Sequence, residues 1–249
     1  MVDNIDFETA AIDLTGGTPS VNLPAAGALA NDVIIFHIVT YDTTAYVTVS
    51  KITIGTTGLT PARRGGAQYV YAAEDYANME EWWVTNPSAI AGSTTVQVTL
   101  SGTPSNNTDI DIFGVMGCPT PANPFDPQNS APVTTTSSGL KTISVNLTTA
   151  KPDDFVFGLF AYIVGTFSGG TIGGLAANTI STSNGSGGSE NTMDYASFYL
   201  IEPSQLSAAA VQAAIGSASD ILILLADAIV GPFSPSLPIR VNRPPQRPR

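Results

Sequence analysis

Asp154-Phe155-Val156-Phe157-Gly158-Leu159-Phe160-Ala161-Tyr162-Ile163-Val164 is an almost unbroken apolar run led in by acidic residues. Two shorter runs share that lead: Asp32-Val33-Ile34-Ile35-Phe36-His37-Ile38-Val39 and Asp220-Ile221-Leu222-Ile223-Leu224-Leu225-Ala226. A run this rich in β-branched and aromatic residues reads as a strand apolar on both faces. Gly158 inside the longest run argues against a helix. Three such strands predict the centre of a β-sandwich, with Phe36, Phe157 and Leu224 in its core. The runs at 32 and 154 also suggest a loose duplication, a weak signal with no short-period repeat beside it.

The flanking sequence extends the same pattern. Thr94 to Leu100 alternates through Val96, Val98 and Leu100, and Ile143-Val145-Leu147 does the same. Around 45–54, Val47 and Val49 have one parity and Ile52 and Ile54 the other, which a bulge near Ser50-Lys51 reconciles. Tyr69-Val70-Tyr71, Met79 to Thr85, Asp109 to Met116 and Tyr195 to Ile201 complete the strand set. Leu206 to Ile215 has helix-favouring alanines, but its place between two strands favours strand. Cys118 to Pro132 carries five prolines and reads as a stiff surface crossover. Gly165 to Gly188 reads as a loop. Residues 1–24 form a polar arm in which Ile5, Phe7, Ile12 and Leu14 could make a short strand. Residues 231–249, with six prolines, form an extended arm. The expected fold is therefore all-β: a two-sheet antiparallel, jelly-roll-like sandwich over 25–230 as a single domain, with extended N- and C-terminal arms.

Composition narrows the function. Only 12% of the 249 residues are charged, about half the usual share, so the surface must be largely Ser, Thr, Asn and Gly. Such a coat suits life outside the cytoplasm or inside a closely packed assembly. A net charge of −11 argues against general nucleic-acid binding, which needs clustered Lys and Arg. The charge is also uneven. Before position 240 there are five basic and twenty acidic residues, a balance of −15, whereas Arg240, Arg243, Arg247 and Arg249 give the tail +4. A single cysteine, Cys118, excludes an intrachain disulfide framework. The start, Met-Val-Asp-Asn-Ile-Asp, has neither a basic nor an apolar segment, so no secretory signal is expected. No apolar run is long enough to span a bilayer, and no membrane partner is expected.

Few residues carry chemistry. His37 is the only histidine and lies within a central strand, so neither a two-histidine metal site nor a histidine-based dyad beyond this one residue can form in one chain. A core or interface position is expected for it, and a buried small-residue role for Cys118. Carboxylate pairs occur at Glu74-Asp75, Glu80-Glu81, Asp109/Asp111 and Asp153-Asp154. Asp109 and Asp111 share a strand face, as a glycosidase pair would require, but strand-end solvation explains such pairs more simply. No Asp-x-Asp-x-Asp-Gly loop for Ca²⁺ appears. No catalytic residue, metal or cofactor is therefore expected. The densest aromatic region holds Tyr69, Tyr71, Tyr76, Trp82 and Trp83. Neighbouring strand residues point to opposite faces, so one tryptophan is expected inward and the other outward, as a subunit contact or a sugar-stacking platform.

Several stretches together carry a family resemblance. They are Ala30-Asn31-Asp32 before an apolar strand; Asn86-Pro87-Ser88-Ala89-Ile90-Ala91-Gly92 leading to the alternating strand that ends at Leu100; Asn123-Pro124-Phe125-Asp126; Pro152-Asp153-Asp154-Phe155; and Ser219-Asp220. Their order over roughly 25–230 resembles the jelly-roll sandwich modules of phage and viral structural proteins and of bacterial surface proteins. The resemblance implies a non-enzymatic virion structural protein: a capsid-associated, decoration or tail component, made in the host cytoplasm and resident in the virion. It would assemble through its arms with copies of itself or other virion proteins. The expected contacts are Trp82, Trp83, Phe233, Leu237, Ile239, Arg240, Arg243, Arg247 and Arg249, with nucleic acid disfavoured as a partner. The alternative is a carbohydrate-binding or adhesion module at an extracellular surface, with a glycan as ligand. A glycan-cleaving enzyme has only the carboxylate pairs behind it.

Overall fold

The computed structural model describes residues 4–72, 74–127, 132–183 and 192–231. The tail contacts expected at Phe233, Leu237, Ile239, Arg240, Arg243, Arg247 and Arg249 lie outside them. The described chain is all-β and without a helix. Eight strands come from the first half: β1 (Ile5–Leu14), β2 (Ser20–Asn22), β3 (Val33–Asp42), β4 (Val49–Ile54), β5 (Ala62–Tyr71), β6 (Asp75–Thr85), β7 (Thr95–Leu100) and β8 (Asn107–Val115). The second half gives β9 (Val133–Ser137), β10 (Leu140–Leu147), β11 (Asp154–Ile163), β12 (Phe167–Ile172), β13 (Leu175–Ala176), β14 (Asn178–Thr182), β15 (Met193–Glu202), β16 (Ala209–Ser219) and β17 (Leu222–Ile229).

These strands make four antiparallel sheets. The first half supplies an inner sheet, β1-β8-β3-β6-β5, and an outer sheet, β2-β7-β4. The second half supplies an inner sheet, β14-β15-β11-β17-β9, and an outer sheet, β10-β16-β12-β13. The two halves have the same strand order once β9 is set against β1, β10 against β2, β11 against β3 and so on, with β13 as the one addition. The Asp-led runs at 32 and 154 occupy equivalent central places.

The layers stack outer, inner, inner, outer, and side-chain parity shows why. On β3, Val33, Ile35, Val39 and Tyr41 join a middle core with Phe155, Phe157, Leu159, Ile163, Ile223 and Leu225 from the other half. The intervening Ile34, Phe36 and Ile38 point the opposite way, onto Ile52, Ile54, Val96 and Val98 of the first outer sheet. On β11, Val156, Phe160 and Tyr162 likewise pack with Val211, Ala213 and Leu224 toward the second outer sheet. The central strands are apolar on both faces because both faces are covered.

Local features fit this packing. The expected bulge in β4 appears as a register shift between Val49 and Lys51. Of the 206–215 segment, the part from Ala209 onward runs as strand in β16 despite its alanines, held between β10 and β12. Residues 1–24, read as an arm, supply β1 and β2, because β1 pairs with β8 along most of its length and buries Phe7. The Gly-rich 165–188 stretch, read as a loop, supplies β12, β13 and β14 in its described part. Glycine is needed there for space: a Cβ on Gly170 would lie 2.5 Å from the Phe198 ring, and one on Gly158 of β11 only 2.3 Å from it. Phe198 thus sits in a slot between two glycine backbones from facing sheets. Gly158→Ala is expected to lower stability by about 1–3 kcal/mol through overpacking, read from chemical denaturation; an unchanged midpoint would mean that the ring is free to move.

Candidate functional site

A surface groove follows the edge of β4. It is open, ≈ 490 Å³ in volume, and lined by Ser50 to Gly55, Thr56, Gly58 to Pro61 and Trp82. Buried Glu80 organises its floor. Glu80 accepts hydrogen bonds from Trp82 Nε1 (2.9 Å), Arg63 Nε (2.9 Å), Asn78 Nδ2 (3.0 Å) and the Val49 amide (3.0 Å). One carboxylate therefore fixes the indole, the start of β4 and the half-exposed Arg63 in a single arrangement. Leu59 and Pro61 line the groove with Trp82, as do Lys51, Thr53, Thr56 and Thr60.

Trp83 points the opposite way, as alternation requires. It lines a smaller hollow of ≈ 210 Å³ with Thr60, Ala62, Val84, Thr85, Pro121 and Ala122. Its ring meets Phe125 edge to face at 5.2 Å, and the Arg64 guanidinium lies 4.1 Å over Phe125. Phe125 in turn borders a third hollow of ≈ 360 Å³, where the described chain ends at Val230 and Gly231 beside Lys151. Both tryptophans are half-buried, so neither is wholly inward nor wholly outward. Each forms one wall of a surface depression, and the two depressions share Thr60.

The other polar concentration is sealed between the two inner sheets. His37 of β3 stands beside Glu81 of β6 and Asp111 of β8 in direct cross-strand register. Ser197, from the opposite sheet, donates to Asp111 Oδ2 at 2.5 Å and lies 3.2 Å from His37 Nδ1. All four are at most 1% exposed. Nearby, Asn107 bonds Asp109 (3.0 Å) and the Met193 carbonyl (3.1 Å) across the interface. At the β5 side, Arg64 reaches through to Asp227 at 2.8 Å.

This layer has catalytic residue types in a non-catalytic order. The serine stands between histidine and aspartate, whereas base-assisted attack needs the histidine in the middle, and no lining residue of the groove belongs to the layer. The expectation that Asp109 and Asp111 share a face is met, but that face is the interface. Burial pushes both carboxyls up to about 7, against partial opposition from the Asp13 backbone amide and Asn107 at Asp109 and from Ser197 at Asp111. Burial also holds His37 neutral, its pKa lowered to about 3. No family model, curated protein or solved structure matches this chain. Any assignment of function must therefore come from its own geometry.

The remaining candidates are scattered. Cys118 is buried, and burial pushes its thiol up. Asp154 and Asp126 lie together at the start of β11, as Asp32 and Asp6 do at the start of β3; burial raises both Asp154 and Asp32, and the neighbouring acid adds to it. Among the described residues no three His, Cys, Asp or Glu side chains cluster so as to hold a metal ion. Among the described residues no helix is long and apolar enough to cross a membrane. Sequence reading had Glu80 and Glu81 only as one carboxylate pair among four, with no role for either, and missed Ser197 and Asp227. The available signal was parity: Glu81 and Asp111 occupy the positions paired with His37, on the same face as Val33 and Ile35.

The layer makes stability depend on pH in an uncommon direction. Asp109 and Asp111 have raised values in the fold, so their favourable contribution is complete below about 4 and is lost as pH rises through about 7. His37 has a lowered value, so its contribution is present above about 6.5 and is lost as pH falls toward 3. Burial raises Glu81 of the same layer as well, so between pH 4.5 and 7 the protons held by these carboxyls outweigh the one that His37 gives up. The melting temperature is expected to fall over that window, at roughly 1.4 kcal/mol per pH unit for each net proton, and Asp111→Asn should flatten the slope. A melting temperature that rises from pH 4.5 to 7 would refute this.

Proposed function

We propose that this chain is a non-enzymatic virion structural protein that assembles with copies of itself through its C-terminal arm. The observation that carries the reading is the doubled sandwich. Each half nests its strands as β1·β8, β2·β7 and β3·β6, or their counterparts β9·β17, β10·β16 and β11·β15, the pairs a jelly roll makes. Two such units back to back bury His37, Glu81, Asp109, Asp111 and Ser197 between them. That arrangement suits a building unit better than a catalyst. The charge-poor exterior and the contrast between a body of −15 and a tail of +4 support attraction between copies. The deciding experiment deletes 232–249 and measures oligomer size and incorporation into particles. A loss of both is expected, and unchanged values would sink the reading. A selective loss of nucleic-acid content would instead assign the tail to the genome.

A second reading has one specific observation behind it. The groove sets a fixed indole among threonine hydroxyls and Lys51, a surface on which a neutral saccharide could stack. Glycan-array binding abolished by Trp82→Ala would promote it, and would place the protein at an extracellular surface.

A further inference from the structure

We infer that the β4 groove is an acceptor for a β-strand, and that the strand it takes is Ile239–Arg243 of a second copy. The inference rests on the arm-exchange reading and names its docking site.

Among the described residues β4 lacks a neighbour that its topology calls for. In an eight-strand nested sandwich the innermost pair is β4·β5. Here β5 pairs with β6 on the inner sheet, and β4 lies at the edge of the outer sheet with β7 as its one partner among the described residues. The Gly55 amide bonds the Thr95 carbonyl at 2.8 Å. By antiparallel alternation the backbone groups of Lys51 and Thr53 then face β7, and those of Ile52 and Ile54 face outward into the groove. The second half is an internal control. Its fifth strand, β14, also pairs on the inner sheet, but the equivalent edge of β12 is covered by β13 through Thr171↔Ala176 and Ile172↔Leu175. The first half has no such cover among the described residues. An uncovered edge beside an aromatic floor is what strand addition requires: main-chain bonds to the edge and an apolar pocket for alternate side chains.

The sequence supplies a matching donor. Residues 232–249 hold six prolines, and the longest stretch between them is Ile239-Arg240-Val241-Asn242-Arg243. Five proline-free residues match the six of β4. Ile239 and Val241 share one face, to meet Trp82 and Leu59, and Arg240 and Asn242 share the other, toward solvent. The preceding seven residues contain Pro232, Pro235 and Pro238 at intervals of three. This is the period of a polyproline helix, which makes a stiff spacer of roughly 22 Å. On the arm-exchange reading the groove that takes this segment is that of a neighbouring copy, and the test below separates it from the chain's own.

The test uses the full chain. Val241→Pro removes a main-chain donor from the strand without touching the body, and it is expected to weaken self-association at least tenfold by sedimentation. In that variant, with Trp83→Phe added so that Trp82 alone fluoresces, a synthetic peptide of residues 237–244 should produce a saturable change in emission. The same peptide with Val241→Pro should bind at least tenfold more weakly. A photo-crosslinking phenylalanine analogue at Thr53, in a mixture of isotopically heavy and light chains, should join position 53 of one chain to 239–243 of another. Cross-links confined to single chains would overturn the assignment to a second copy. Absence of a saturable peptide signal would overturn the groove. Association lost on deleting 232–249 but kept in Val241→Pro would also overturn the groove, while leaving arm exchange intact.

Discussion

Replacing Arg64 with Leu is expected to destabilise the protein by about 3–5 kcal/mol, the usual cost of removing one partner from a buried ion pair. Arg64 enters the interface from the edge strand β5 and bonds Asp227 at 2.8 Å through Nε and at 3.4 Å through Nη2. Asp227 is fully buried in the middle of β17, and Glu81 lies close enough to feel both. Burial and Asp227 each raise Glu81, and Arg64 is the opposing influence. Without the guanidinium, two carboxyls would share an apolar layer with no counter-charge. The double variant Arg64→Leu, Asp227→Leu should recover much of the loss, because a well-packed apolar pair can replace a buried ionic one at little cost. Urea denaturation of the single and double variants reads both. A single variant within about 0.5 kcal/mol of wild type would show that solvent reaches Asp227.

The second large effect is expected from truncating the central strands. Phe36, Phe157 and Leu224 are each fully buried, and each sits in a different core: Phe36 under the first outer sheet, Phe157 between the halves, Leu224 under the second outer sheet. Cutting any of them to Ala should cost about 2–5 kcal/mol. Phe157→Ala should act on both halves at once, since its ring packs against Phe113 of the other sandwich at 6.0 Å between centroids. Unfolding monitored at Trp82 and Trp83 and by far-ultraviolet dichroism should therefore stay coincident as the midpoint falls. A loss under about 0.5 kcal/mol, or two separated transitions, would mean the halves are not coupled as the packing implies.

Those three residues also show how far the sequence could be read. Apolar runs on both strand faces identified Phe36, Phe157 and Leu224 as core, but a two-sheet sandwich leaves one face of every strand at solvent. Val33-Ile34-Ile35-Phe36 and Phe155-Val156-Phe157 already required a third and fourth layer. The duplication was visible in the two Asp-led runs, yet the residues that follow them differ so much that strand order carries it more clearly than side chains do. The polar layer was harder. His37, Glu81 and Asp111 are 30 to 74 positions apart and become neighbours only through the β6-β3-β8 register. Ser197 and Asp227 come from the other half altogether. The tryptophan pair was legible as two opposite faces, but the groove beside Trp82 arises from the choice of β5 to pair with β6, which no local propensity encodes.

The two inner sheets meet through the same face of each sandwich. Counting from Asp32 and Asp154, Val33 corresponds to Phe155, Ile35 to Phe157 and His37 to Leu159, and all of these point into the interface. Like surfaces pressed together are the geometry of a two-fold dimer, here with both subunits on one polypeptide. In a dimer of separate chains every substitution appears twice, so a charged residue or an open edge on one subunit is forced on its twin. Joining the subunits lifts that constraint. The chain has His37 where its twin has an apolar residue, and covers one outer-sheet edge with β13 while the other has no such cover among the described residues.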